Sequence, residues 1–291
     1  LSPYALEEFR PRQALWVDEL RRLLAEDGRQ LRLLVAPRCF QPNPAPALVR
    51  LLRRERAACW VLVRSTRPIQ TWFERQEVPC VVAGSCHEGV RLPCVDLDYR
   101  AMCRHAAAAL LRRGHRRIAF LTPTPEAAGD FQSEAGFLEG VRRFPAEAEG
   151  RIVRHATDRE SVARTVRRLM TGKGAPTALF VNQSYHYLTV FSILTSLGRR
   201  IPEDVSLICR DEDRFLAYLE PEPARYVEDP HLYGRKLARI AIGLLAGKPA
   251  HPPHVLLVPR LRWSASVARP PATAPEGLPS VARRCLGLPP P

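Results

Sequence analysis

RRGHRRIAFL, Arg112–Leu121, packs four arginines and a histidine around a single glycine. Read as a claw for phosphates, it would make the chain a nucleic-acid binder. Read as the corner where a helix becomes a strand, it makes the chain an α/β protein. Its neighbours favour the corner. The Ala-rich run VDLDYRAMCRHAAAALLRR (Val95–Arg113) predicts a helix, and Gly114 stands where a left-handed C-terminal residue is needed, a conformation glycine takes without strain. Arg112 and Arg113 fall in the last turn, where cations complement the helix dipole. RIAFLTP (Arg117–Pro123) then reads as a buried strand, so RRGHRR is expected to be a solvated corner.

The same alternation extends in both directions. LWVDELRRLLAEDG predicts a helix with Leu15, Trp16, Leu20, Leu23 and Leu24 on one face, ended by Gly28. A strand QLRLLVAP, a helix PALVRLLRRERA, a strand CWVLVRS, a short helix IQTWFERQ and a strand VPCVVAG follow. Beyond Pro123 come a helix at SEAGFLEGVRRF, strands at RIVRHA, PTALFVN and DVSLICRD, helices at SVARTVRRLMTG, YHYLTVFSILTSLG and PHLYGRKLARIAIGLLAG, and the extended PHVLLVPRLRWS. Short apolar strands between amphipathic helices imply parallel sheets covered on both faces. About eight or nine strands exceed the usual sheet of about 5–6, so two sheets are expected. The Pro-rich stretch 269–291 is expected to be loosely ordered or draped on the surface.

Composition sets bounds. The chain has 291 residues and a net charge of +14, but only three lysines, Lys173, Lys236 and Lys248, and its arginines are spread over the predicted helices rather than gathered in one stripe. No run of about 18 apolar residues exists to span a membrane. There is no signal-peptide pattern, which points to the cytoplasm. The eight cysteines form no C-x-x-C pair, and the Cys80/Cys86 and Cys86/Cys94 spacings are wide for a zinc knuckle. Reduced, mostly buried thiols are therefore expected, with no metal and no cofactor. No G-x-S-x-G, H-E-x-x-H or phosphate-cradling glycine loop is present and the histidines are dispersed, so no enzyme is expected.

VDLDYRAMCRHAAAALLRRGHRRIAFLTP, GAPTALFVNQ, GRRIPEDVSLICRDED and VLLVPRLRWSAS resemble, in order and spacing, the lactose-repressor (LacI/GalR) family of bacterial transcription regulators. The resemblance runs from Leu15 to Ala268. It implies a type I periplasmic-binding-protein-like fold: two doubly wound α/β subdomains joined by three crossovers, residues 1–117 plus 228–248 and residues 118–227 plus 253–268. It further implies a symmetric homodimer whose inter-subdomain cleft takes a small, sugar-like effector, with DNA held by an N-terminal helix-turn-helix domain outside this stretch. An exported solute-binding protein of the same fold, or a regulator core with a vestigial cleft, are the alternatives.

Several residues match family positions. Asn182, after PTALFVN, matches an effector-contacting Asn, although Asn is also a good helix cap. Asp211, after VSLIC, matches a pocket Asp able to accept two hydroxyl hydrogen bonds. Ser133 stands where most members place an effector-gripping Arg, and a hydroxyl provides no cationic fork. Arg210 is a candidate replacement. Asp130 and Phe131 are expected at the cleft mouth. Ser65, Thr66 and Tyr4 are candidate cleft groups on the first subdomain and Glu228 matches a polar position near a crossover, while Asp98 reads as a helix cap.

Overall fold

The structure, a computed structural model, describes residues 1–145, 147–251 and 253–270. Most of the Pro-rich tail, with Cys285, lies outside them.

Two sheets organise the chain. The first has the order β1-β2-β3-β9, all parallel, from Trp60–Val63, Cys80–Ala83, Cys94–Leu97 and His254–Leu257. Period-two alternation sorts its side chains. Val81, Ala83 and Val95 face helices α1 (Pro11–Glu26) and α8 (Pro230–Leu245), where Trp16, Leu20, Leu237 and Ala241 complete one core. Cys80, Val82 and Cys94 face α2 (Ala45–Arg54) and α3 (Arg67–Arg75), with Leu48, Ile69 and Phe73.

The second sheet has the order β10-β8-β7-β6-β4-β5, from Arg260–Arg262, Ala224–Val227, Ser206–Cys209, Ala178–Val181, Arg117–Pro123 and Glu149–His155; only β10 runs antiparallel. Ile118, Phe120 and Phe180 pack on α4 (Tyr99–Arg112) and α5 (Ala128–Arg142). Ala119, Leu121 and Leu179 pack on α6 (Arg159–Thr171) and α7 (Ser184–Ser196). The chain passes between the sheets three times: after β3, between β8 and α8, and between β9 and β10.

Four expectations are corrected. The helix read from Val95 starts at Tyr99, because Val95–Leu97 are strand and the Asp98 carboxylate caps α4 by accepting the Ala101 N–H at 2.9 Å. That helix packs on the second sheet through Met102, Cys103 and Ala106, so the first passage lies at Asp98 and not at 117/118. The late segment is split: His254–Leu257 joins the first sheet beside β3, and only Arg260–Arg262 belongs to the second. QLRLLVAP forms no ladder; its one bridge is Ser2 to Val35, because only Leu1 and Ser2 lie between this segment and β1.

The opening corner is built as read, but it is less solvated. Gly114 has φ +97° and its N–H closes on Leu111. The Arg113 guanidinium lies 3.5 Å from the Trp263 ring centroid. His115 is buried, bonded to Thr177 Oγ1 at 2.9 Å and to the Ala268 carbonyl at 3.1 Å, so it clamps the C-terminal segment onto β4. The cysteines among the described residues are free thiols. Yet Cys86 and Cys94, set aside on spacing, meet beside His254.

Candidate functional site: a cleft between the two sheets

Parallel strands direct their carboxyl ends, and the loops that follow, to one edge of a sheet. Here two such edges face each other. From the first come Arg64 and Ser65 after β1, Gly84 and Ser85 after β2, and Asp96 near the end of β3. From the second come Arg210–Asp213 after β7 and the start of α5. The amino end of α1 supplies Arg10, Arg12 and Trp16. The free space in the cleft is only about 100 Å³, against about 300–1,000 Å³ for a typical ligand pocket, because the protein's own side chains fill it.

Those side chains are charged and paired. Arg10 Nη1 donates to Asp211 Oδ2 at 2.5 Å, joining the first subdomain to the second. Arg12 donates to Glu228, at the passage after β8, and lies over the Tyr233 ring. Arg210 is 5% exposed; its guanidinium sits 4.5 Å from the Tyr99 ring centroid and donates to Ser133 Oγ at 3.0 Å. Burial works to raise the Asp211 carboxyl, but Arg10 and Arg210 outweigh it and hold the group below the ordinary range. Burial is the largest influence on Arg210 and opposes its charge, but Asp211, Tyr99, Cys103 and Asp130 together outweigh it, so that guanidinium stays ionised.

Asp96 behaves differently. Burial pushes its carboxyl up to about 6, against the Ser85 hydroxyl, which donates to Oδ2 at 2.7 Å, and the Leu97 N–H. The floor beneath it is tight: a Cβ at Gly129 would come within 2.8 Å of the Tyr99 ring. Glycine at the first turn of α5 leaves room for that ring beside Arg210.

The residues expected from sequence divide. Asp211, Arg210, Asp130 and Ser65 line the cleft. Asp130 also accepts the Ala127 N–H at 3.2 Å, and Ser65 Oγ accepts from Gln70, so both have structural duties. Glu228 meets the cleft through Arg12. Ser133 is fully buried behind the wall, donating to the Gly129 carbonyl at 2.7 Å. Asn182 is buried as well: its amide donates to Thr122 Oγ1 at 2.5 Å, its Oδ1 has no partner among the described residues, and the cap position of α7 is Gln183. Thr66 and Phe131 open onto a neighbouring depression, where Phe131 faces His87, and Tyr4 packs against the α1–α8 core.

Sequence reasoning missed Arg10, Arg12, Asp96 and Tyr99. Two signals were available. An acid inside the apolar run CVDL is out of place in a buried strand, and arginine at the amino end of a helix opposes the dipole.

A family model described as a periplasmic binding protein-like domain matches residues 107–267. The HTH-type transcriptional regulator CelR of Thermobifida fusca is 25% identical over 164 residues, 56% of this chain and 48% of CelR. The chain thus spans about half the length of that relative. A probable opine utilization operon repressor of Rhizobium rhizogenes is 31% identical over 175 residues, 56% of this chain and 85% of the repressor. Among solved structures, a transcriptional regulator CelR–cellobiose complex superposes with a TM-score of 0.75 at 22% identity, covering 88% of this chain and 79% of the other. A LacI family regulator from Enterococcus faecium with bound ribose gives 0.74 at 18% identity, covering 92% and 97%.

Proposed function

This chain belongs to the periplasmic-binding-protein-like domains of the LacI/GalR regulators, and from that premise we propose that it is the ligand-sensing core of a transcription regulator whose cleft takes a small, acidic, polyhydroxylated effector. The observation that carries the reading is the Arg210–Ser133 bond. Ser133 provides no cation, but the buried guanidinium of Arg210 reaches that very position from the facing strand end. A fork there suits a carboxylate or phosphate, and Asp211 beside it suits vicinal hydroxyls. CelR is solved with cellobiose and the E. faecium regulator with ribose, which supports a hydroxylated ligand of this size class.

Admitting such a ligand requires the Arg10–Asp211 pair to part, so binding is coupled to a change in subdomain orientation. In a symmetric homodimer that change would alter the spacing of two DNA-binding domains. A second reading is favoured by the small cavity: a cleft closed by its own ion pairs, in a core that serves dimerisation alone.

A thermal-unfolding screen against sugars, sugar acids and sugar phosphates separates them. A ligand at about 100 times its dissociation constant should add about 2.7 kcal/mol. The gain should vanish in Asp211→Ala and be lost for acidic ligands in Arg210→Met. Stabilisation indifferent to both substitutions would sink the effector reading, and no response across the panel would favour the closed core.

A further inference from the structure

We propose that Cys86, Cys94 and His254 form a binding site for one zinc-class ion, with a solvent molecule as the fourth ligand. This site is separate from the cleft and independent of the functional reading above. The two thiol sulfurs and an imidazole nitrogen all lie within 4.8 Å of one another. A tetrahedral ion with bonds of about 2.0–2.3 Å needs its ligands roughly 3.5–3.8 Å apart, so side-chain rotation of about an ångström closes the set.

The fold holds these ligands together by three routes. Cys94 and His254 are register partners on the parallel strands β3 and β9, so both side chains leave the same face of the sheet. Cys86 arrives on the loop after β2, which is anchored at Ser85 by Asp96 and at the His87 N–H by Gln70 Oε1. Its sulfur points back to the Leu92 carbonyl at 3.2 Å, toward Cys94. Exposure is graded as an open metal site requires. Cys94 is buried, Cys86 half-buried and His254 exposed, at a depression of about 500 Å³ that leaves room for solvent.

The donor chemistry selects the ion. Two thiolates and an imidazole are a soft-to-borderline set that favours zinc over magnesium or calcium. Each thiol gives up its proton to solvent on binding, so one dication replaces two protons and the first shell is neutral. Neutrality suits Cys94, which is buried in the cluster of Val82, Val90 and Leu92. Sequence spacing could not show it, because His254 follows Cys94 by 160 residues and is brought there only by the β3–β9 pairing.

The test uses the full chain, reduced, stripped with chelator and titrated anaerobically with Co²⁺ as the spectroscopic probe. One equivalent should give intense tetrahedral d–d bands with a sulfur-to-cobalt charge-transfer band, and Zn²⁺ should displace both. Cys86→Ser should lose the tetrahedral spectrum. His254→Asn, at an exposed position where folding is not at stake, should lose d–d intensity while keeping charge transfer. An octahedral spectrum, or tetrahedral absorption that survives Cys86→Ser, overturns the proposal. The remaining cysteines are present in every variant, so the difference reports this site.

Discussion

At the scale of single residues, much of the chemistry follows from where burial and charge meet. His115 is the clearest case. Burial lowers its imidazole to about 4, against the Ala268 carbonyl it holds. Between about pH 6.5 and 4 the unfolded chain takes up a proton that the folded chain refuses. Stability therefore falls as pH drops through that window, by up to about 3 kcal/mol for this residue. His115→Gln, which can still donate to Ala268, should flatten that part of the pH–stability profile in urea titrations. An unchanged slope would mean that His115 is not held neutral. Asp96 has the opposite sign: its raised carboxyl keeps a proton longer in the folded chain, so its contribution declines as pH rises from about 4 to about 6.

At the scale of elements, helix α5 is set by its glycines. A Cβ at Gly136 would lie 2.1 Å from the Arg100 carbonyl oxygen, and one at Gly140 2.6 Å from that of Arg104. Helices α4 and α5 thus touch backbone to backbone, with Arg100 and Arg104 reaching over to Glu139. Gly136→Ala gains helix propensity of about 1 kcal/mol but must push the helices apart, at about 1–3 kcal/mol or more. The variant should be the less stable in chemical denaturation, with α4 displaced from Phe120. A more stable variant would refute the close approach. Propensity alone predicts the wrong sign here, because sequence shows the glycine but not the carbonyl facing it.

At the scale of the whole molecule, the two subdomains are held closed by ion pairs. Arg10–Asp211 is the direct tie, with side chains 25% and 13% exposed. Arg10→Gln removes the attraction between the subdomains, while Asp211 keeps the Arg210 guanidinium, 3.4 Å away, as its counter-charge. The closed state should lose about 1 kcal/mol relative to the open one, roughly a fivefold change in population. Small-angle scattering should record a larger radius of gyration for the Arg10→Gln variant. Identical scattering curves would show that packing, not this pair, sets the closure. Among the described residues no helix is long and apolar enough to cross a membrane.

The sequence by itself determined the α/β class, the two sheets, the Gly114 corner and the Asp98 cap, because each rests on local periodicity or a local backbone requirement. It also placed Arg210 and Asp211 at a strand end. Only the tertiary structure decided which sheet each segment joins, since α4 and β9 carry apolar faces that would suit either sheet, and the choice is made by partners far along the chain. It alone put Arg10 against Asp211, moved Asn182 and Ser133 behind the cleft wall, and brought His254 to Cys86 and Cys94. Ion pairs and ligand sets of this kind have no sequence period. They depend on distances between residues up to 216 positions apart, which the folded sheets alone fix.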